Sequence, residues 1–136
     1  MEMPPRLESN IMRIWLACLA LAAPVAALAS DAVPVVEVRL SSFDFAPETI
    51  RLRAGQSVVL RLTNTSSGGH NFAAPEFFAA AAIAPGQNVA VEDGAIEVAS
   101  RQSVSLRLTP ARGTYRLRCT HTLHTTFGMR GEIVVE

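Results

Sequence analysis

Cys119, His124 and Met129 fall in one short segment near the C-terminal end of the chain, Cys119-Thr120-His121-Thr122-Leu123-His124-Thr125-Thr126-Phe127-Gly128-Met129. Another histidine, His70, stands far upstream in Gly69-His70-Asn71-Phe72. One thiolate, two imidazoles and a thioether form a soft donor set. Soft sulfur ligands favour Cu(I) and imidazole suits both copper oxidation states. A trigonal His₂Cys arrangement with a weak, long axial Met is the donor set of a copper electron-transfer centre. Zinc sites use Cys, His and carboxylates rather than thioethers. The chemistry to expect is therefore one-electron redox chemistry at a single bound copper ion.

These side chains need elements that aim them. Thr114-Tyr115-Arg116-Leu117-Arg118-Cys119 alternates with period two, so Cys119 ends a strand and its direction is set by a sheet. Similar alternation runs through 36–40, 50–53, 58–63, 103–108 and 131–135, with a shorter candidate strand at 95–99. Ala54-Gly55-Gln56, the polar and Gly-rich stretch from Asn64 to Gly69, and Pro110-Ala111-Arg112-Gly113 are the turns between them. Short strands at this spacing predict an all-β sandwich of about seven or eight strands. Residues 75–83, with Pro75 followed by Phe77, Phe78 and a run of Ala, predict a short helix or an irregular segment, and 87–94 an exposed connection. His70 is expected to arrive from a different strand than Cys119, which ties the centre to the fold. Phe43, Phe45 and Phe72 are expected to pack in the core or at its edge.

The N-terminus has the pattern of an export signal. Arg6 and Arg13 precede an apolar run from Ile14 to about Leu28, and Ala27-Leu28-Ala29 gives the small-x-small pattern cut by a signal peptidase. Residues 1–29 are thus expected to be a signal peptide cleaved after Ala29, with Met12 as an alternative start and residues 30–136 as the single mature domain. The run is short for a membrane span and Pro24 interrupts it, so membrane attachment is expected only if the segment is retained. Export places the mature protein in the periplasm. Of two cysteines only Cys119 outlasts cleavage, and an unpaired thiol in an oxidising compartment suits a metal ligand. The mature part carries ten Arg and ten Asp or Glu. This balance, with no basic stripe, excludes nucleic acid as a partner.

The Cys-x₄-His-x₄-Met loop, the upstream Gly69-His70-Asn71 and the closing Gly131-Glu132-Ile133-Val134-Val135 together resemble the cupredoxins, the group of plastocyanin and azurin. The resemblance covers Val35 to Glu136. It implies a Greek-key β-sandwich with copper at one end, His70, Cys119 and His124 as equatorial ligands, and Met129 as the axial one. It also implies that Asn71 and Thr120 link the two ligand loops, and that the Gly69 carbonyl approaches the copper weakly, as in azurins. His121 departs from the pattern, because many relatives have an apolar residue or Pro there. It is an alternative ligand to His124, or a group beside the site that tunes it. Against ligation, residues i and i+2 of a strand stand about 6.6 Å apart along the chain, which is awkward for chelation beside the thiolate.

The function expected is that of a small monomeric electron carrier serving a cytochrome, an oxidase or a reductase, leaving by the solvent edge of His124 with Leu123, Phe127 and Ala74 or Pro75 around it. The alternative is copper handling, meaning buffering or delivery without a dedicated redox partner. An enzyme is not expected, since multicopper catalysis needs further His-rich centres and the chain has three His in all.

Overall fold

A computed structural model describes residues 32–121 and 128–136. Residues 1–31, which include the expected signal peptide, and the segment 122–127, which includes His124, lie outside these residues. Among the described residues, ten strands and one helix follow in the order β1 (Val35–Ser41), β2 (Asp44–Ala46), β3 (Thr49–Leu52), β4 (Val58–Asn64), β5 (His70–Ala73), α1 (Pro75–Ala80), β6 (Ala82–Ile83), β7 (Ala95–Val98), β8 (Ser103–Thr109), β9 (Gly113–Arg118) and β10 (Arg130–Val135). The strands form two five-stranded sheets, ordered β2-β1-β4-β8-β6 and β3-β10-β9-β5-β7. Only β1–β2 and β9–β10 join consecutive strands within one sheet; every other connection passes between the sheets. The architecture is the expected all-β sandwich, with ten strands described where about seven or eight were expected. Among the described residues no helix is long and apolar enough to cross a membrane.

Period-two sequence produces the core directly. Val38 and Leu40 of β1, Leu60 and Leu62 of β4, and Leu106 and Leu108 of β8 turn inward from one sheet. Ile50 and Leu52 of β3, Ile133 and Val135 of β10, Leu117 of β9 and Ile96 and Val98 of β7 do so from the other. All belong to one buried cluster that also takes in Cys119 and Met129. Intervening charged residues such as Arg51, Arg61, Arg107 and Arg116 face solvent.

The middle of the chain closes one side of the sandwich. Pro75 starts α1, where its missing N–H costs nothing, and the helix ends after one and a half turns as Ala81 becomes extended. Phe77 and Phe78 are both buried: Phe78 meets Phe72 edge-on at 5.9 Å, and Phe77 meets Tyr115 at 5.5 Å. Gly94 lies under the helix start with φ +73°, its carbonyl accepting from the Ala74 N–H at 2.9 Å; a Cβ there would collide with Pro75. Residues 82–83, the end of the segment expected to be helical or irregular, instead pair with β8 as β6. Phe45 and Phe72 are buried, whereas Phe43 is 41% exposed.

Candidate metal centre

Three adjacent strands of the second sheet, β10, β9 and β5, lead to one end of the sandwich and bring His70, Cys119 and Met129 there. Regular pairing of β9 stops at Arg118, one residue short of expectation, yet the Cys119 N–H still donates to the Met129 carbonyl at 3.1 Å. The register that pairs Arg118 with Arg130 therefore continues to set Cys119 opposite Met129. Both side chains are fully buried. His70 begins β5 and is 3% exposed.

Cys119 Sγ lies 3.9 Å from His70 Nδ1 and accepts the Asn71 N–H at 3.5 Å. This separation fits two donors on one ion. Bonds of about 2.0 Å to imidazole and about 2.3 Å to thiolate, as zinc makes them, span about 3.5–3.7 Å at tetrahedral to trigonal angles and reach the observed 3.9 Å at an angle of about 130°. A buried thiol, an imidazole nitrogen turned toward it and a buried thioether-bearing residue opposite it suit copper. Among the described residues no group of three or more His, Cys, Asp or Glu forms a metal-binding cluster. His124 lies outside them.

Asn71 is buried and braces the two segments. Its Oδ1 accepts the Thr120 N–H at 2.8 Å, and its Nδ2 donates to Thr120 Oγ1 at 2.6 Å and to Glu97 Oε1 at 2.9 Å. The structure thus brings Asn71 and Thr120 together. His121 is half-buried, its Nε2 lies 2.9 Å from Glu97 Oε2, and its ring stacks near that of His70 with centroids 6.5 Å apart. Gly69 faces the same ring, since a Cβ there would lie 3.5 Å from His121 Cε1. Of the residues expected around the electron exit, Ala74 is fully buried, because it lies between β5 and α1 with its N–H bonded to Gly94. It offers no docking surface; Pro75 is exposed, and Leu123 and Phe127 lie outside the described residues.

Two residues of this end were not singled out in the sequence. Glu97 joins Asn71 to His121 from the neighbouring strand β7. Asn64, 1% exposed, shapes the turn that delivers His70: its Nδ2 donates to the Gly68 and Val98 carbonyls at 2.8 and 3.0 Å, and its Oδ1 accepts from Ser66 N and Oγ. The Asn64-Thr65-Ser66 run is an Asx-turn signature that would have found it.

A family model described as a cupredoxin-like domain matches residues 11–135. Comparison with curated proteins finds no match. The structure is similar to that of reduced auracyanin from the photosynthetic bacterium Roseiflexus castenholzii, at 21% identity and a TM-score of 0.57 over 77% of this chain and 98% of that one. It is similar to auracyanin A, a "blue" copper protein of Chloroflexus aurantiacus, at 21% identity and a TM-score of 0.52 over 75% of this chain and 99% of that one. It also resembles part of the multicopper oxidase McoA of Aquifex aeolicus, at 15% identity and a TM-score of 0.58 over 78% of this chain but 30% of the oxidase. At these identities the structural likeness establishes the fold.

Proposed function

Because the chain belongs to the cupredoxin-like domain family, we propose that it is a small exported blue copper protein that carries single electrons between partner proteins. His70, Cys119 and His124 would hold one copper ion, with Met129 as the weak axial donor. The observation that carries this reading is the 3.9 Å approach of Cys119 Sγ to His70 Nδ1, from different strands, at a buried end of the sandwich. Copper bound there supplies one-electron chemistry between Cu(II) and Cu(I).

The chain's own residues do the rest by staying still. The Asn71 N–H orients the Cys119 sulfur, and the Asn71 side chain ties Thr120 to β5, so neither ligand-bearing segment can swing independently. Met129 and Cys119 are closed to solvent. A donor set held in this way changes little between oxidation states, which keeps the barrier to electron transfer low. The near-neutral mature chain suits docking through partly apolar contact more than through strong electrostatic steering. No substrate bond is made or broken, and the chain spans under a third of the multicopper oxidase it resembles.

Export to the periplasm is part of the same proposal, supported by Arg6, Arg13, the apolar run after them and Ala27-Leu28-Ala29. A mature N-terminus at Ser30 in the periplasmic fraction is the expected result; an intact leader in that protein contradicts cleavage. The carrier reading is tested by mixing the copper-loaded protein with a reduced c-type cytochrome in a stopped-flow instrument. Rapid bleaching of the Cu(II) colour with oxidation of the cytochrome is expected. Slow exchange together with ready passage of copper to an apo-acceptor would favour copper handling instead.

A further inference from the structure

Glu97 lies on β7, the edge strand beside β5, with Ile96 and Val98 turned into the core and its own carboxylate on the outer face. Its two oxygens serve different segments. Oε1 accepts from Asn71 Nδ2 at 2.9 Å, and Oε2 accepts from His121 Nε2 at 2.9 Å. The hydrogen-bond roles are fixed by elimination. A backbone N–H only donates, so Asn71 must present Oδ1 to Thr120 and Nδ2 to Glu97. An ionised carboxylate only accepts, so the His121 proton facing it sits on Nε2.

Strand register explains why such a link is needed. β5 pairs with β9 only at Ala73 and Arg118. Continued antiparallel, that register would set Asn71 opposite Thr120 and His70 opposite His121, but the backbone ladder ends. Side chains take its place: Asn71 spans the first opening, and Glu97 reaches across from β7 to His121. The carboxylate thereby joins three strands' worth of chain at the end where His70 and Cys119 approach each other.

We propose that Glu97 is a positioning residue for the metal centre: by holding Asn71 and His121 at once, it fixes the segment after Cys119 against the segment that carries His70. This rests on the copper reading for its purpose, while the hydrogen bonds themselves run between protein groups alone. Glutamine at this position keeps an oxygen for Asn71 and an amide that can donate to His121 in its other tautomer, so the links persist without the charge. Alanine removes both.

The test compares wild-type mature protein with Glu97→Ala and Glu97→Gln. In the copper-free proteins, hydrogen exchange is read by NMR at the Thr120 backbone amide and the Asn71 side-chain amide. The Glu97 side chain is 67% exposed, so its links are modest, and Glu97→Ala is expected to speed exchange by about two- to fivefold. Glu97→Gln should stay close to wild type. In the copper-loaded proteins, the Cu(II) visible and EPR spectra should shift in Glu97→Ala and much less in Glu97→Gln. Wild-type exchange rates in Glu97→Ala would overturn the proposal, and so would equal damage in Glu97→Gln, which would assign the effect to charge. Failure of all three proteins to bind copper would count against the proposed function alone, because the exchange measurement needs no metal.

Discussion

Asn71→Ala removes the brace between the segments that carry His70 and Cys119, and its cost can be worked from the hydrogen bonds that disappear. The side chain makes three: with Thr120 Oγ1 at 2.6 Å, Thr120 N–H at 2.8 Å and Glu97 Oε1 at 2.9 Å. A typical intramolecular hydrogen bond contributes about 1 kcal/mol net. The bond to the exposed carboxylate belongs at the low end, and water can replace part of what exposed Thr120 loses. Together these give a loss of about 2–3 kcal/mol in the copper-free protein. Urea unfolding followed by fluorescence or circular dichroism measures it, and a lowered midpoint with unchanged m-value is expected. Asn71→Asp is the informative companion. It keeps an acceptor for the Thr120 N–H but sets a second carboxylate against Glu97, so it should be at least as damaging at neutral pH. A loss below about 0.5 kcal/mol for Asn71→Ala would refute the reasoning, because surface substitutions without structural consequence fall in that range. The segments of His70 and Cys119 would then be held by the sheet alone.

Gly131→Ala should destabilise the protein by about 1–3 kcal/mol in the same assay, since its Cβ would fall 2.5 Å from the Glu48 carbonyl oxygen that accepts the Glu132 N–H; unchanged stability would contradict this. His124→Ala should abolish the intense visible band of the Cu(II) protein while His121→Ala keeps it, and the reverse result would exchange their roles. Met129→Leu nearly conserves buried volume and should cost less than about 1.5 kcal/mol in stability, yet change the reduction potential measured by voltammetry. An unaltered potential would remove Met129 from the axial position.

The parts legible in the sequence were those where one face is wet and the other dry. Val58–Asn64 and Ser103–Thr109 announce themselves by alternation because outward residues such as Arg61, Thr63, Ser105 and Arg107 separate the inward aliphatics. β2 and β6, of three and two residues, are too short to show a period. β5 is buried along its whole length, so His70-Asn71-Phe72-Ala73 carries no alternation at all. The depth of Ala74 was hidden for a related reason: its burial comes from Gly94 and α1, distant contacts that no local pattern records. At the candidate metal centre, the residue types pointed to His70, Cys119, His124 and Met129, of which His124 lies outside the described residues. Glu97 could not be found that way. It reads as the polar residue of an ordinary strand, and only the pairing of β5 with β7, which sets Asn71 against Glu97, brings it to the site.

The central claim is that this buried end of the sandwich forms a copper–thiolate centre, and a Cu(II) titration of the purified mature protein followed by visible absorption tests it most directly. The account predicts saturation at one equivalent with an intense thiolate-to-copper charge-transfer band, lost in Cys119→Ser. A colourless Cu(II) complex, or a band that survives Cys119→Ser, would contradict it.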